Sequence, residues 1–569
     1  MKRLAPTRAR PMLTRPVFAP APRAARLART WRVVVARLPK WALQWQMWLV
    51  LAIGASLRLV AIGRSPFGSD DALLFLEAAR TTHDRLLPGT GIFNSLLALN
   101  FPAYTFLLLP FANQPQGLAV LTAVANVVAV ACLYVFTERM FGRWPALIAA
   151  LLFATATYAT WMSVFIWQQT IVIPITLVAL WLAFEGAVRQ RRHWLAPHLI
   201  LLALAIQVYP QSISLLPVTV VAIIFGWRTI RWVDVLIAEN ICCLIWLPTV
   251  LFELASGGFD LPIYLAWLRA PKVTNTQALV ALSQALGPQS GDYLGANTWY
   301  THTAPLVAWL TPVIMALWAL GTVWLAAWVV VPLGRGLWRR DATAMRRLAS
   351  APAWRAHLLL LLWPLGLLAA TIRHATPVYV HYVFLISPVI YVTIGVLLVE
   401  APRWLAGRFK HRWAPAVARL VPVVGGGALV VAQAVATGVF VLALASGQAT
   451  AASWGVIPID GYTQTLAVTS AVAERLRARQ VFIASDPADP YMGQYWSLRE
   501  NNLAAGTAPV WASAVAGECA LLPAPGAAGL ILITAAPGPA LASVLRAEGT
   551  KLLRSFTVAR GASFVLYQV

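Results

Sequence analysis

Long apolar runs recur along most of this sequence, and they constrain its fold more than any other feature. Apolar residues make up 60% of the chain, charged residues only 11%, and 26 residues are tryptophan. A helix needs roughly 20 apolar residues to cross a bilayer, and the segment 43–62 is the first that reaches this length. Such a composition is typical of an integral membrane protein. The sequence therefore predicts a mainly α fold, a polytopic bundle of transmembrane helices.

The positive charge is distributed between these apolar runs. The chain carries 44 Lys and Arg against 20 Asp and Glu, a net charge of +24. Residues 1–40 contain eleven of the basic residues and no acidic one, and the other basic clusters lie between apolar runs. Cytoplasmic loops of membrane proteins are enriched in Lys and Arg. The charge therefore reflects membrane orientation, and we expect no nucleic-acid partner.

Threading the chain through its basic clusters gives about eleven spans that begin inside and end outside. The segment 1–40 shows no small-residue cleavage site before the first span, so we expect a disordered cytoplasmic tail and not a cleaved signal. With this threading, 29 of the 44 basic residues fall in the tail and inner loops, and six fall in outer loops. The predicted spans are 43–62, 117–136, 144–162, 165–186, 195–210, 211–227, 234–252, 304–332, 357–372, 378–399 and 420–446.

The apolar run 96–111 is a twelfth candidate span. Counting it would invert every later loop and place nearly all the basic clusters outside. The run is also short for a span, and Asn100 and Pro102 interrupt it. We therefore expect a short helix that lies along the outer leaflet or dips into it.

The threading divides the chain into a tail (1–40), a transmembrane domain (41–446) and an extracytoplasmic domain (447–569). It also creates a large first outer loop at 63–116 and a second at 253–303. Beyond residue 446 the composition shifts towards Asp, Pro, Gly and Arg. Short β-like runs and one helical stretch occur there, which favours a small α/β domain. The β-like runs are 481–483, 530–533 and 563–569, and the helical stretch is 540–548.

Two adjacent acids, Asp70 and Asp71, open the first outer loop within the stretch GSDDALLFLEAAR. A carboxylate at a membrane surface can act as a general base or as a metal ligand. Acids are also favourable in the first turn of an amphipathic helix, where they interact with the helix dipole. The two residues by themselves leave both interpretations open.

Several stretches occur in the order and spacing of one known family. The first span ends in Arg58-Leu59, the paired acids follow, and a Pro-aromatic stretch occupies 101–104. The other matching stretches are LYVFTERMFGRWPALIAALLFA (133–154), AIQVYPQSISLLP (205–217), LPTVLFELASGGF (247–259) and VYVHYVFLISP (378–388). Together they resemble the GT-C membrane glycosyltransferases, in the branch of the protein O-mannosyltransferases and the lipid A aminoarabinose transferase. The resemblance covers residues 43–400, and the C-terminal segment matches only in position.

The resemblance implies transfer of a sugar from a polyprenyl-phosphate donor to an acceptor on the outer face, with inversion. Such a transfer needs a carboxylate that accepts the proton of the acceptor hydroxyl, and the family's catalytic acid corresponds to Asp70. Asp71, the second candidate catalytic residue, stands where the family typically has Glu, one methylene longer. The leaving phosphate needs a cationic or hydrogen-bonding partner, and Arg58 is the candidate because an arginine in an apolar span tends to face a cavity. Snorkelling to the outer interface is the alternative for Arg58.

Further candidates for donor or substrate binding are His381, Tyr382, Gln169 and Glu253. His381 and Tyr382 begin a span at its outer end, where they can orient the donor or form a structural hydrogen bond. Gln169 lies near an outer span end, where amides also join helices, and Glu253 begins the second outer loop. The weaker candidates of the same kinds are Gln168, Gln207, Gln211, Asp260, Trp161, Trp167 and Trp299, although interfacial belts explain most tryptophans in membrane proteins.

Two other classes of protein are compatible with the pattern of spans, a secondary transporter and a non-catalytic membrane scaffold or sensor. Transporters typically contain internal repeats and interrupted helices near the midplane, and the sequence shows no convincing repeat. It also lacks zinc-type Cys/His spacing, so we assign no metal ligand and no certain cofactor, while a divalent metal stays open. The expected partners are the lipid bilayer, the polyprenyl-phosphate sugar and a protein, lipid or polysaccharide acceptor.

We predict that the loop 333–356 is cytoplasmic. In a chain whose four native cysteines are replaced by serine, Asp341→Cys should stay unlabelled by a membrane-impermeant maleimide added to intact cells. It should react once the cells are permeabilised, and Thr90→Cys in the first outer loop should react without permeabilisation. Labelling of position 341 from outside would overturn the predicted orientation.

Overall fold

The computed structural model describes most of the chain between Trp45 and Gln568. The described segments are 45–60, 62–64, 66–67, 69–84, 87–112, 114–288, 304–408, 414–446, 457–475, 480–485, 510–513, 529–534, 551–557 and 563–568.

Helices account for most of the described residues. The α-helices are α1 (Trp45–Leu59), α2 (Ser69–Asp84), α3 (Ala103–Leu108), α4 (Pro115–Phe141), α5 (Arg143–Ala154), α6 (Thr157–Met162), α7 (Gln168–Ala187), α8 (Leu195–Val208), α9 (Leu216–Gly226), α10 (Trp232–Ala255), α11 (Leu261–Arg269), α12 (Gln277–Leu286), α13 (Ala304–Val307), α14 (Leu310–Trp338), α15 (Ala342–Ser350), α16 (Pro352–Ile372), α17 (Ser387–Arg408), α18 (Ala414–Leu420), α19 (Gly426–Ala445) and α20 (Ile459–Arg475). The strands are β1 (Pro66–Phe67), β2 (Val273–Thr274), β3 (Arg373–His374), β4 (Ile457–Pro458), β5 (Gln480–Ser485), β6 (Val510–Ser513), β7 (Gly529–Thr534), β8 (Lys551–Thr557) and β9 (Ser563–Gln568).

Within the described residues, eight helical segments are long and apolar enough to cross a membrane. They coincide with eight of the eleven predicted spans. The other three predicted spans, 43–62, 144–162 and 195–210, contain the shorter apolar helices α1, α5 and α8. The predicted polytopic helical bundle is therefore confirmed. The eight segments are Pro115–Phe141, Gln168–Ala187, Pro210–Thr229, Trp232–Ala255, Pro305–Trp338, Pro352–Ile372, Phe384–Arg408 and Ala414–Ala445.

The run 96–111 forms no spanning helix. It contains only the six-residue helix α3 and the 3₁₀ turn Leu109–Phe111. A helix of this length rises about 9 Å, whereas the hydrocarbon core of a bilayer is about 30 Å thick. The described residues of this run thus form no helix long enough to span, and its place along the outer leaflet stays a prediction.

The best-buried span is Phe384–Arg408, with 78% of its most apolar window buried. A Cβ atom on Gly395 in this span would lie 2.6 Å from the carbonyl oxygen of Pro145. Likewise, a Cβ on Gly366 in α16 would lie 2.4 Å from the carbonyl oxygen of Ser214. Small residues at helix contacts allow backbones to approach closely, which is the main source of packing energy between helices in lipid. These glycines therefore set the spacing of the central helices.

An ion-pair cluster joins neighbouring helices at the end of the bundle that we predict to be cytoplasmic. Glu185 in α7 is buried, and its carboxylate lies 2.9 Å from Nη1 of Arg139 and 2.9 Å from Nε of Arg191. Nη1 of Arg189 lies 3.4 Å away. A buried carboxylate is strongly destabilising unless it is paired, so the three arginines allow Glu185 to tie the ends of α4 and α7 together.

Arg58 connects α1 to the end of α5. Its guanidinium is almost completely buried, where Nη1 donates to the carbonyl oxygen of Ala154 at 2.8 Å and Nη2 to that of Phe153 at 3.2 Å. The hydroxyl of Thr437 donates to the next carbonyl oxygen, that of Thr155, at 2.6 Å. The last carbonyl groups of a helix lack intrahelical partners. These donors therefore allow the predicted span 144–162 to divide into α5 and α6 inside the bundle.

The described strands beyond residue 476 form one five-stranded sheet in the order β6-β5-β7-β9-β8. β5 pairs in parallel with β6 and β7, whereas β9 pairs antiparallel with β7 and β8. The predicted β-like runs are observed as β5, β7 and β9, and β6 and β8 were not predicted. The predicted helix 540–548 lies outside the described residues.

The helix α20 packs against the first outer loop. β1 and β4 pair antiparallel, with Phe67 opposite Ile457. The ring of Tyr462 in α20 lies 4.6 Å from that of Phe67 and 6.2 Å from that of Phe75 in α2, between ring centroids. Both Phe67 and Tyr462 are fully buried. The segment that follows the last span is thus packed against the helix that carries Asp70.

We predict that Arg58→Leu lowers the thermal stability of the detergent-solubilised protein. The substitution removes the donors to two buried carbonyl groups, and an unsatisfied buried polar group costs about 1–3 kcal/mol. Arg58→Lys should have an intermediate effect, and the exposed Arg403→Leu should have almost none. Equal melting temperatures for the Arg58→Leu and Arg403→Leu variants, measured by intrinsic fluorescence, would contradict this role.

Candidate functional site

A cavity of about 770 Å³ lies between the predicted first outer loop, 63–116, and the ends of several spans that we predict to face outward. Its walls come from α2, from the loop that precedes α3, from the start of α7 and from the segment that follows β3. The lining is mostly apolar and aromatic. Asp70 is the one acidic residue in the described lining, which contains no Lys or Arg. A carboxylate facing a mostly apolar cavity is a candidate catalytic group.

Asp70 and Asp71 occupy the first turn of α2 but have different environments. Asp70 lines the cavity and is accessible from it. Asp71 is fully buried, and its Oδ1 accepts a hydrogen bond from the backbone N–H of Ile166 at 2.8 Å. Successive residues on a helix point about 100° apart. The bond to Ile166 therefore fixes the rotation of α2 about its own axis. In this rotation Asp70 faces the cavity, and Asp71 lies outside the lining.

The surroundings of Asp70 change its acidity. The protein around the cavity limits hydration of the carboxylate, and this desolvation raises the pKa of Asp70 above its usual value. Tyr382 lies on the same cavity. Burial, together with the nearby negative charge of Asp70, raises the pKa of the Tyr382 phenol. Asp70 is thus a stronger base than an exposed aspartate, and Tyr382 stays protonated as a hydrogen-bond donor.

His381 lies in an aromatic cluster on the wall of the cavity. Its ring stacks on Tyr379 at 5.6 Å between centroids and contacts Trp167 edge-on at 5.2 Å and Tyr382 edge-on at 4.6 Å. Desolvation lowers the pKa of His381 to about 3, so its imidazole is neutral at physiological pH. A neutral imidazole can form hydrogen bonds with a sugar or a phosphate, but it contributes no positive charge.

The first outer loop supplies one wall of the cavity as a hairpin. The N–H of Gly91 donates to the carbonyl oxygen of Asn100 at 2.7 Å, and the N–H of Asn100 donates to that of Ile92 at 2.9 Å. Near the tip, the hydroxyl groups of Ser95 and Tyr382 are hydrogen-bonded to each other. This hydrogen bond attaches the hairpin to the opposite wall of the cavity, to which Tyr382 belongs.

The structure separates the remaining predicted site residues into two groups. Gln169, at the start of α7, lines the cavity together with Gln211. Glu253 lies outside the described lining, and its carboxyl group lies against that of Asp260. Asp260 is buried, and its Oδ1 accepts a hydrogen bond from the N–H of Leu99 at 2.9 Å. Glu253 thus contacts the residue that supports the hairpin.

The weaker candidates are divided in the same way. Trp167 and Gln168 line the cavity. Gln207 is buried and joins α8 to α10 through a side-chain hydrogen bond of 3.1 Å. Trp161 is buried in the helical core, and Trp299 lies outside the described residues.

Arg58 does not line the cavity in the described structure. Its guanidinium donates to backbone carbonyl groups of α5, as described above, and burial leaves it with almost no exposed surface. The expected contact between Arg58 and a bound phosphate is therefore not the geometry of this structure. An arginine in an apolar span needs a polar partner, and here that partner is the protein backbone.

A second pocket, of about 560 Å³, adjoins the cavity and is lined by Arg269, Lys272 and Arg373. Ala370 lines both spaces. Nζ of Lys272 lies 4.5 Å above the ring of Trp267, a residue of the main cavity, and donates to its carbonyl oxygen at 2.6 Å. The described lining of this pocket contains no acidic residue. Three cations without a carboxylate between them form a site suited to an anion.

Sequence reasoning missed this cationic pocket, although the charge pattern contained a signal. The positive-inside rule leaves only six basic residues in the predicted outer loops, and Arg269, Lys272 and Arg373 are three of them. The pairing of β2 with β3 brings the second outer loop beside Arg373. Basic residues that violate the orientation rule are candidates for ligand binding, and here three such residues meet.

The described residues contain no group of three or more His, Cys, Asp and Glu side chains that could hold a metal ion. The candidate site therefore consists of one cavity carboxylate, neutral hydrogen-bonding side chains and an adjoining cationic pocket. This arrangement is suited to a substrate that has an anionic group next to a hydroxyl-rich one.

The fold and the site define a multi-pass membrane protein with a candidate active site at one end of its bundle of spans, the end that we predict to face outward. Residues 103–252 match the family model described as dolichyl-phosphate-mannose-protein mannosyltransferase. No curated protein sequence matches the chain.

Two solved structures of one membrane protein share the fold. The crystal structure of ArnT from Cupriavidus metallidurans bound to undecaprenyl phosphate matches with a TM-score of 0.55 at 14% identity, over 91% of this chain and 97% of that chain. The apo structure of the same protein matches with a TM-score of 0.54 at 14% identity and the same coverage. An oligosaccharyltransferase from Archaeoglobus fulgidus matches with a TM-score of 0.42 at 13% identity, over 80% of this chain and 63% of its own. The predicted resemblance to GT-C membrane glycosyltransferases is confirmed by the family match and the ArnT fold.

Proposed function

We propose that this protein transfers a sugar from a polyprenyl-phosphate donor to an acceptor hydroxyl at the outer face of the membrane. The family match and the shared fold indicate a glycosyltransferase. One observation carries the finer proposal: the cavity that contains Asp70 adjoins a pocket lined by three cations. A lipid-linked sugar has a phosphate directly beside its sugar ring. In this proposal the cationic pocket accommodates the phosphate, and the cavity that contains Asp70 accommodates the sugar. The binding of undecaprenyl phosphate by ArnT supports the same class of donor.

The proposed reaction is an inverting substitution at the anomeric carbon. The acceptor oxygen attacks this carbon while its proton passes to the carboxylate of Asp70, so a general base assists the attack. The bond between the anomeric carbon and the phosphate oxygen breaks, and the lipid phosphate leaves with the bonding electrons. Arg269, Lys272 and Arg373 stabilise the negative charge on the departing phosphate. The sugar is thereby joined to the acceptor with inverted configuration.

The other cavity residues have supporting roles in this proposal. Tyr382 and neutral His381 donate hydrogen bonds to the donor, and Gln169 binds sugar hydroxyl groups. Asp71 positions Asp70 through the backbone of Ile166. Glu253 acts indirectly, since it contacts the acid that supports the hairpin. No metal is required in this scheme, because the three cations provide the charge that a divalent ion provides in other transferases.

The proposal also implies an orientation of the protein in the membrane. The cavity lies among the predicted outer loops, where both a polyprenyl-phosphate sugar and an extracytoplasmic acceptor are accessible. We therefore infer a plasma-membrane protein with a cytoplasmic N-terminus and with the segment 447–569 outside. The charge distribution supports this orientation.

We expect Asp70→Asn to lower kcat by about 10²–10⁴-fold while the protein still folds, because the amide keeps the shape of the side chain but is not a base. Asp71→Asn is the matched control and should cost much less, since its amide oxygen can still accept the bond from Ile166. For the wild type, kcat/KM should fall as acid protonates Asp70, with a midpoint above that of an ordinary aspartate because its pKa is raised. Near-full turnover of Asp70→Asn with any polyprenyl-phosphate sugar that the wild type consumes would refute the assignment.

Arg373→Gln should weaken binding of the polyprenyl phosphate product more than binding of an uncharged polyprenol. A hydrogen bond to a charged group contributes about 1.5–3 kcal/mol, equivalent to roughly 10- to 150-fold in affinity. The exposed Arg403→Gln, at the opposite end of the bundle in our threading, serves as the control. Unchanged phosphate affinity of the Arg373 variant, measured with a fluorescent polyprenyl phosphate, would exclude a role for Arg373 in phosphate binding.

A further inference from the structure

His374 lies where the cationic pocket meets the cavity that contains Asp70. It lines the cavity, and its neighbour Arg373 lines the cationic pocket. These two residues form β3, which pairs antiparallel with β2 over two residues. β2 directly follows Lys272, another cation of the pocket. The β2–β3 pairing therefore holds the predicted second outer loop so that both cations line one pocket.

This pairing is a weak attachment by itself. Even a complete two-stranded hairpin is only marginally stable in water, and this ladder is two residues long. The pocket also gathers like charges, since Arg269, Lys272 and Arg373 line it and its described lining contains no acidic residue. Like charges repel one another at close range. A further contact between the two segments would therefore stabilise the pocket.

The imidazole of His374 makes such a contact, because both of its ring nitrogens face oxygen atoms. Nδ1 lies 2.6 Å from the carbonyl oxygen of Thr376. Nε2 lies 3.1 Å from Oδ1 of Asn275, the residue that follows β2. The backbone N–H of Gln277 donates to the same Oδ1 at 2.9 Å, which identifies this atom as the amide oxygen. The ring thus lies between two hydrogen-bond acceptors, one on each segment.

Only a protonated imidazole can donate to both oxygens. A neutral imidazole has one N–H, and its other nitrogen carries a lone pair. The neutral ring of His374 can therefore bond to Thr376 or to Asn275, and its lone pair then faces the other oxygen. Rotation of the Asn275 amide would present an N–H to this lone pair, but it would remove the oxygen from the N–H of Gln277. The geometry therefore matches the cationic form of His374.

We propose that protonated His374 is a positioning residue that attaches the second outer loop to β3 and so assembles the phosphate site. This inference rests on the proposed function, in which the cationic pocket binds the phosphate of the donor. The proton also adds positive charge beside Arg373, and a bound phosphate offsets that charge. Binding of the proton and binding of the phosphate therefore favour each other. The affinity for the phosphate should fall as the pH rises and His374 loses its proton.

Other titratable groups lie around His374. The arginine and lysine side chains of the pocket ordinarily keep their charge between pH 5 and 8, and the half of α16 that leads to β3 contains no charged residue. Desolvation lowers the pKa of His381 to about 3, and burial raises the pKa of the phenols of Tyr264 and Tyr382, so these three stay neutral. Burial raises the pKa of Asp70, which gains a negative charge as the pH rises. Binding is therefore measured in chains that carry Asp70→Asn.

The binding test uses a fluorescent polyprenyl phosphate methyl ester, a phosphodiester whose single negative charge is constant over this pH range. Its affinity for the full-length Asp70→Asn protein should fall about 10-fold between pH 5 and 8, where histidine titrates, the equivalent of one hydrogen bond to a charged group. With His374→Asn added, the affinity should stay at the high-pH level throughout. Asn275→Asp keeps the acceptor for Gln277 and places a carboxylate opposite Nε2, so it should move the fall to higher pH.

The attachment can also be measured without a ligand. Hydrogen exchange of the peptide that covers 269–276, corrected for intrinsic rates, should be faster in His374→Asn than in the wild type at pH 6. The difference should be small at pH 8, where the wild-type imidazole is neutral as well. His193→Asn is the matched control, since this histidine follows the end of α7 that lies away from the cavity. It should exchange like the wild type at both pH values.

The two proposals fail in different ways. If the wild type does not bind the phosphodiester at any pH, the phosphate site is refuted, and the exchange measurement still decides whether His374 attaches the loop. If Arg373→Gln weakens binding but His374→Asn changes neither the pH profile nor the exchange, the role of His374 is refuted and the phosphate site stands. A fall in affinity that Asn275→Asp does not move means that a neutral imidazole meets a rotated amide, which also overturns the inference.

Discussion

The position of the candidate base depends on one buried hydrogen bond, from the N–H of Ile166 to the carboxylate of Asp71. Ile166 lies in the interruption between α6 and α7, where a backbone donor is free to bond outside its own helix. Burial of Asp71 against this donor sets the rotation of α2 about its axis. The adjacent Asp70 then faces the cavity, so the two acids have separate roles because consecutive helical side chains diverge.

The same constraint, that polar groups inside a membrane protein need partners, explains the other polar features of the bundle. Arg58 satisfies the carbonyl groups at the end of α5 and lets a short helix end within the bundle. Arg269, Lys272 and Arg373 gather in a pocket whose described lining contains no carboxylate, which leaves their charge for an anionic ligand. In each case the chemistry of the polar group determines which kind of partner must lie next to it.

Sequence reasoning predicted the spans well, because each span is a local property of about 20 residues. It also identified the cavity residues Asp70, His381, Tyr382 and Gln169, which lie at predicted outer ends of spans. It assigned Arg58 to the phosphate, because an isolated intramembrane charge has the same appearance in sequence whether its partner is a ligand or a carbonyl group.

The sequence by itself determined the membrane class, the positions of the spans and the expected orientation, because hydrophobicity and charge act locally along the chain. Only the tertiary structure decided which of the paired acids faces the cavity and where the cations lie. Arg269 and Arg373 are about 100 residues apart, and the β2–β3 pairing brings them together. Such contacts depend on the packing of distant segments, which no local pattern of residues contains.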